Sequence, residues 1–309
     1  MIVAAGRGTR LAPLTDLRPK PAVPVRGLPL IAYQLALLAH HGVREVVINT
    51  HHLAEQLEAA ARRHCPPGVS LTFSRERELL DTGGGIRRVA AFLRESDPSL
   101  IVGGDMLLDV DIGALARAHR ERSAAFTMLL REDARVAEFG SVGVDRDGAV
   151  CRIGSRFRFG DAVEARAGLY AWANAVSPRA FDAMPEREVF SHFDHWLAPR
   201  LAGGTRDVHG VFLSCTWEPV GTLAEYLAAN ARSPRLSYLD ADAVAREAGV
   251  RFDADNVIGA GASVGAGASL ARVVVWDGEQ VPDGCRAHDA VFAGGQLHSL
   301  VSTPGGSAP

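Results

Sequence analysis

Two short stretches near the amino terminus gather groups that suit a polyphosphate: Gly6-Arg7-Gly8-Thr9-Arg10 and, further along, Pro19-Lys20-Pro21. Glycines let a backbone approach a phosphate chain closely and aim N–H groups at it. The Arg10 guanidinium can grip two phosphate oxygens side by side. Lys20 adds a compact point charge, and the prolines at 19, 21 and 24 stiffen the segment that carries it. A carboxylate, Asp105, follows a second glycine pair, Gly103-Gly104. The spacing is not that of a Walker A loop, and the third glycine of a dinucleotide fingerprint would fall at Leu11.

Lys20 stands out for another reason. Of 33 lysines and arginines it is the only lysine. A chain that uses arginine almost wherever it needs a cation has kept a lysine here. That fits a site where a compact ammonium serves and a wide planar fork does not. The rival account is a chance survivor of an arginine-biased composition.

The elements that must position these groups can be read from periodicity. Residues 1–5 predict a short buried strand ending at the glycine loop. Residues 28–41 carry helical apolar spacing, with Gly42 as a stop. Strands are expected over 43–49, 69–73 and 100–102. Helices are expected over 53–63, from Gly83-Gly84-Gly85 through 93, and over 112–121 behind an Asp111 N-cap. Alternating strands and helices imply an α/β fold with a doubly wound, mostly parallel sheet. Ligands of such sheets bind beyond the carboxyl ends of the strands. The glycine loop, the glycine run and Asp105 can meet there.

From about residue 124 the pattern becomes mixed, with short strands expected over 126–130, 141–144 and 168–172 and a turn at Asp147-Gly148. This half would supply one wall of a cleft. Residues 251–297 differ again. Ile258, Val264 and Leu270 recur every six residues, and after a one-residue slip Val275, Val281 and Ala287 continue the spacing. An aliphatic followed by a small residue at that period predicts a short left-handed β-helix of hexapeptide repeats. Its apolar character makes a homodimer an expectation. The organisation read from sequence is therefore a catalytic domain over 1–233, a linker over 234–250, the β-helix over 251–297 and a disordered tail over 298–309.

Composition sets the outer limits. The 309 residues are 47% hydrophobic, enough for a substantial core. A net charge of -3 argues against nucleic acid or an anionic membrane as a partner held by bulk charge. The four cysteines are far apart and form no CxxC pair, so reduced thiols are expected and a zinc site is not. No run reaches membrane-spanning length, and a cytoplasmic protein is the expectation.

The segment Ala4-Ala5-Gly6-Arg7-Gly8-Thr9-Arg10-Leu11, then Pro13-Leu14-Thr15, then Pro19-Lys20-Pro21 resembles the amino-terminal signature of the sugar-1-phosphate nucleotidylyltransferases. Mannose-1-phosphate guanylyltransferase-like and N-acetylmuramate-phosphate uridylyltransferase-like enzymes belong to that group. The likeness continues through residues 46–49, Thr82-Gly83-Gly84-Gly85, Gly104-Asp105, residues 167–170 and Gly221-Thr222, covering roughly 1–230. It implies a Rossmann-like nucleotidyltransferase with a mixed, mainly parallel sheet. Such an enzyme joins a nucleoside monophosphate from an NTP to a sugar phosphate and releases pyrophosphate, with Mg²⁺ as cofactor.

The resemblance also implies roles. Ala4, Ala5 and Gly6 would contact base and ribose, and Gly8, Thr9 and Arg10 would hold the triphosphate. Lys20 would bridge the reacting phosphates. Thr82 and Gly83 would line the base or ribose pocket, and Asp105 would hold the metal. Phe139-Gly140 and Ala167-Gly168 would border the sugar. The NTP leans to GTP with a mannose- or heptose-type phosphate, with UTP close behind.

Two departures stand out. The group usually carries a metal-binding aspartate two residues after a tryptophan. Here the element reads Trp217-Glu218-Pro219-Val220-Gly221-Thr222, leaving Glu218 as the candidate second ligand. The group's sugar-phosphate lysine matches the stretch at Ser155-Arg156-Phe157, where Arg156 can substitute. A catalytically weak regulatory subunit that binds nucleotide sugar is therefore the alternative, and a glycosyltransferase on a related fold is a weaker third.

Other residues have plainer readings. Asp109 is expected to be simply exposed. His51-His52 and His192, Asp194 and His195 have metal-ligand types but no required pattern. The run from Arg75 to Glu78 is expected to be a solvated loop. Trp172, Trp196 and Trp217 are expected in the core.

Overall fold

The computed structural model of the chain describes residues 1–300. Its centre is a ten-stranded mixed sheet. Strand Ile2–Val3 pairs in parallel with Glu45–Thr50 on one side and Ser99–Gly103 on the other, and Ser70–Arg75 extends the sheet beyond Glu45–Thr50. These are apolar, partly β-branched segments (Val46, Val47, Ile48; Ile101, Val102) buried on both faces, as parallel strands under helices must be. The long strand Arg166–Val176 turns the sheet antiparallel. One end pairs with Ser99–Gly103, the other with Val142–Val144, and Phe126–Arg131 lies along its other edge. Phe126–Arg131 in turn pairs in parallel with Val208–Phe212.

Helix Ile112–Glu121 begins where expected, because the Asp111 carboxylate accepts the Ala114 N–H at 2.8 Å. The glycine run opens helix Asp81–Arg88, which breaks at Val89 before a second short helix, Ala90–Leu93. Asp109 is not idle: it accepts the Ser237 N–H at 2.6 Å and the Ser237 hydroxyl at 2.8 Å, tying down the segment that leaves the main domain. Glu76 is not in a solvated loop either. It is buried and bonds the Asn49 amide at 2.8 Å.

One core lies on the face that holds Phe126 and Trp196, whose rings meet edge-to-face at 5.4 Å. A second lies under helices Leu30–His40 and Ile112–Glu121. A third joins distant parts of the chain: Leu11, Leu14, Val23 and Val25 pack with Val220 and Tyr226 and with Val274, Trp276 and Val291.

The carboxy-terminal segment is a stack of parallel strands flanked by two antiparallel ones, Arg251–Asp253 and Gln296–Ser299. Ile258 pairs with Val275, Val264 with Val281 and Leu270 with Ala287. Positions read at six-residue spacing thus become stacked neighbours, and the one-residue slip sets the step from one layer to the next. The last strand, Gln296–Ser299, runs past the expected start of the tail at 298, and residues 301–309 of that tail lie outside the described residues. All four cysteines are free thiols. Among the described residues no helix is long and apolar enough to cross a membrane.

Candidate functional site

At the carboxyl ends of the parallel strands lies a cleft of about 480 Å³. Ala4, Ala5, Gly6, Gly8, Thr9, Arg10, Lys20, Thr82, Asp105 and Phe139 line it, so the structure brings ten of the sequence-predicted residues to one place.

The loop after Ile2–Val3 is held by its neighbours. The Ala4 N–H donates to Asn49 Oδ1 at 2.8 Å, and Asn49 Nδ2 donates to Glu76 Oε1 at 2.8 Å. Glu76 Oε2 accepts the Leu80 N–H at 3.0 Å, so one buried carboxylate links both walls of the cleft mouth. Gly8 has φ +65°, and a Cβ there would lie 2.9 Å from the Lys20 Cβ and 3.0 Å from Thr15 Cγ2. Only glycine allows this backbone to press on the Lys20 segment.

Lys20 sits in a short helical turn, Lys20–Ala22, with its side chain 9% exposed. Its ammonium donates to Asp105 Oδ2 at 2.7 Å. Asp105 leaves strand Ser99–Gly103 and precedes strand Met106–Asp109, and its carbonyl accepts the Val220 N–H at 3.3 Å. Its other carboxylate oxygen has no hydrogen bond among the described residues, and the side chain is half exposed to the cleft. Arg10 makes no ion pair among the described residues and lies over Gly221, where a Cβ would be 3.1 Å from its Nη2 and 2.8 Å from Glu225 Oε2. The cleft therefore offers two cations, Arg10 and Lys20, three carboxylates, Asp81, Asp105 and Glu225, and a backbone loop, which together can hold phosphates and a cation among them.

Six predicted residues, Gly83, Gly140, Arg156, Ala167, Gly168 and Glu218, lie outside the cleft lining. Glu218 is the clearest correction. In strand Thr216–Pro219 it pairs with Leu107 while Pro219 pairs with Met106, and successive side chains of a strand face opposite ways. Pro219 lines the cleft; Glu218 is half exposed and pairs with Arg135 at 3.5 Å. Arg156 is largely exposed and ion-paired with Asp194. Gly83 packs under the Phe190 ring, and its N–H donates to the Phe190 carbonyl at 2.9 Å. Gly168 is pressed against Phe212, where a Cβ would be 2.9 Å from the Arg131 carbonyl. Gly140 closes the short helix Val136–Phe139 with φ +79°, and it is the preceding Phe139 that reaches the cleft.

Among the lining residues that escaped sequence reasoning are Asp81, Asn49, Trp172, Trp217 and Glu225. Trp172 and Trp217 face the cleft, and Trp217 meets Phe139 edge-to-face at 5.1 Å. Trp196 and Trp217 are buried in the core as expected, Trp217 with an edge at the cleft, while Trp172 is only partly buried. Asn49 acts through a contact that no local pattern reveals. Glu225 had a readable signal, the Thr222-x-x-Glu225 capping pattern. Thr222 accepts the Glu225 N–H at 3.2 Å, and Glu225 Oε2 accepts the Gly221 N–H at 2.6 Å.

Mg²⁺ commonly takes one or two carboxylates and completes its shell with water and substrate phosphates. Asp105, with a free oxygen facing the cleft, fits that use. Among the described residues no cluster of three or more His, Cys, Asp or Glu could cage a metal, so His192, Asp194 and His195 do not form one. Burial instead pushes the His192 imidazole down to about 3.

The nucleotidyl transferase family model matches residues 1–235. Mannose-1-phosphate guanylyltransferase of Mycobacterium tuberculosis is 29% identical over 300 residues, 92% of this chain and 81% of that protein. N-acetylmuramate alpha-1-phosphate uridylyltransferase of Caulobacter vibrioides is 34% identical over 242 residues, 75% of this chain and 95% of that protein. The crystal structure of HddC from Yersinia pseudotuberculosis complexed with GMP-PN superposes with a TM-score of 0.61 at 22% identity, covering 74% of this chain and 96% of that one. That last likeness is one of fold.

Proposed function

Because the chain belongs to the nucleotidyl transferase family, we propose that it makes an NDP-sugar and pyrophosphate from an NTP and a sugar phosphate, using GTP with a mannose- or heptose-type phosphate. The observation that carries the reading is the convergence of Arg10, Lys20 and Asp105 on one cleft behind a glycine loop. A guanylyltransferase relative that matches almost the whole chain supports the choice of GTP.

In this reading the glycine loop directs N–H groups at the phosphate chain, and Arg10 holds it in two-pronged fashion. A phosphate oxygen of the sugar phosphate attacks the α-phosphorus, the α–β bridging P–O bond breaks, and pyrophosphate carries away the electron pair. No covalent side chain is needed. Negative charge spreads over the phosphate oxygens, and preset cations stabilise it. Lys20 supplies its ammonium from a nearly buried position, where the charge is least screened. Mg²⁺ held by Asp105 would add positive charge at the reacting phosphate. Phe139, Trp172 and Trp217 offer flat apolar surface to the sugar.

A regulatory subunit without turnover is not favoured, because the cations and the carboxylate are all present at the cleft. The 17-residue layer-to-layer register, as in Ser263 with Gln280, supports reading the carboxy-terminal stack as a left-handed β-helix of hexapeptides. The deciding measurement is pyrophosphate release with Mg²⁺ across NTPs and sugar phosphates. Release with GTP and a mannose- or heptose-type phosphate is expected. Binding of nucleotide sugar with no release from any pair would overturn the reading.

A further inference from the structure

We infer that Trp276, in the carboxy-terminal stack, is a positioning residue for Lys20. The inference rests on the reaction proposed above, in which Lys20 touches the reacting phosphates.

The Trp276 indole N–H donates to the Tyr226 hydroxyl at 2.9 Å, and that hydroxyl donates to the Pro24 carbonyl at 2.7 Å. Both bonds are buried. Burial raises the Tyr226 pKa, so its O–H persists as a donor across the working pH range. The same indole ring carries the Arg18 guanidinium, centred 4.7 Å from the ring centroid. Trp276 thus holds the chain on both sides of Lys20, two residues before it and four after.

The intervening segment transmits position because it is stiff. Pro19, Pro21 and Pro24 fix its backbone, and the Lys20 and Pro19 carbonyls close its turn by accepting the Val23 and Ala22 N–H groups. Just beyond Pro24, Arg26 is locked by a bidentate bond to Asp242 at 2.9 and 2.6 Å and by Asn230, whose side-chain oxygen accepts the Arg26 N–H at 2.8 Å. The Phe252 ring, 4.0 Å away, covers the guanidinium. Trp276 is itself fixed, since its backbone N–H donates to the Phe292 carbonyl of the next layer at 3.0 Å. A group held this firmly at 2.7 Å from Asp105 loses efficiency when its support shifts.

The sole lysine gives a readout that needs no turnover. Full-length protein grown with [ε-¹³C]lysine shows one Cε cross-peak, that of Lys20. The variants are Trp276→Phe, which keeps an aromatic face and loses the N–H, and Tyr226→Phe, which breaks the same relay with minimal change of shape. Trp196→Phe is the control: its indole donates to the Ala180 carbonyl in a different core. Both relay variants should move or broaden the Lys20 peak and lower kcat about fivefold or more, with nucleotide KM within about twofold. The double variant should lose no more than Tyr226→Phe alone, because that variant already breaks both bonds of the relay. The control should leave the peak in place. An unmoved Lys20 peak in both relay variants, or a moved peak with unchanged turnover, overturns the inference. If the unaltered protein shows no turnover with any substrate pair, the reaction is wrong, and the peak alone still decides whether Trp276 positions Lys20.

Discussion

Lys20 and Asp105, 85 residues apart in sequence, form a 2.7 Å ion pair with unequal exposure: the ammonium is nearly buried and the carboxylate half open. The pair holds the cation inside the cleft before any phosphate arrives and leaves one carboxylate oxygen for other work. The first prediction concerns its chemistry. Lys20→Ala and Asp105→Asn should each lower pyrophosphate release by about 10²–10³, the usual cost of one lost charge-stabilising group. Lys20→Arg should fail nearly as badly, since a wide planar fork cannot put a compact charge at the point 2.7 Å from Asp105 Oδ2 that the ammonium occupies. Full activity of the arginine variant would contradict the compact-cation argument.

The second prediction concerns Gly8. Alanine there meets a positive φ of 65° and a Cβ only 2.9 Å from that of Lys20. The strain should cost about 1 kcal/mol of stability, and the displaced Lys20 should lower kcat about tenfold. Thermal melting and initial rates together check both numbers. Gly42, where a Cβ would meet nothing within 4 Å, is the companion site: alanine there should strain the backbone without touching turnover.

Residues that face away should be silent in catalysis. Glu218→Gln and Arg156→Ala should each leave kcat within about twofold, because truncating a solvent-exposed ion pair costs little. Half-maximal Mg²⁺ should also be unchanged in Glu218→Gln. A clear rise in the Mg²⁺ requirement of that variant would show that the strand parity argument fails.

Acid should weaken the fold through buried histidines. The His119 ring bonds Thr127 at 2.8 Å and Ser177 at 2.9 Å, and burial lowers its pKa from 6.5 to about 4. The unfolded chain therefore binds a proton more readily than the folded one between these values. Stability contributed by the neutral ring is fully present above pH 6.5 and is lost as pH falls towards 4. The loss approaches about 3 kcal/mol for this residue. Urea midpoints at pH 7 and pH 5 should differ accordingly, and His119→Gln should flatten the difference even if it lowers the midpoint at pH 7.

Much of the cleft lining could be read in advance because its residues are local to strand ends. Ala4 to Arg10 and Asp105 follow buried apolar strands, and the glycines mark where backbone must come close. Helix Ile112–Glu121 was visible through its Asp111 cap, and the stacked pairs Ile258 with Val275 and Leu270 with Ala287 through their spacing. What escaped depends on register and on distant partners. Whether Glu218 or Pro219 faces the cleft is fixed by pairing with Leu107 and Met106, which the Trp217–Thr222 segment alone does not encode. Asn49 and Glu76 read as ordinary polar residues until the fold sets one against Ala4 and the other against Leu80. Trp172 and Trp217 are apolar enough for a core; Trp172 reaches the opening from the long strand Arg166–Val176 and Trp217 from the separate ribbon in which Thr216–Pro219 pairs with Met106–Asp109.

The third core has a consequence for how the molecule is made. Leu11, Leu14 and Val23 find their final neighbours only when Val274, Trp276 and Val291 arrive, more than two hundred and fifty residues later. During synthesis, an emerging chain would carry this core incompletely covered until its last members appear, a period in which sticky surface invites aggregation. Contacts of such long separation also form late in folding, since closing a long loop costs entropy before it gains any packing. Nascent chains stalled short of residue 276 should therefore be strong clients for chaperones, and competence for catalysis should appear only once the final layers have closed.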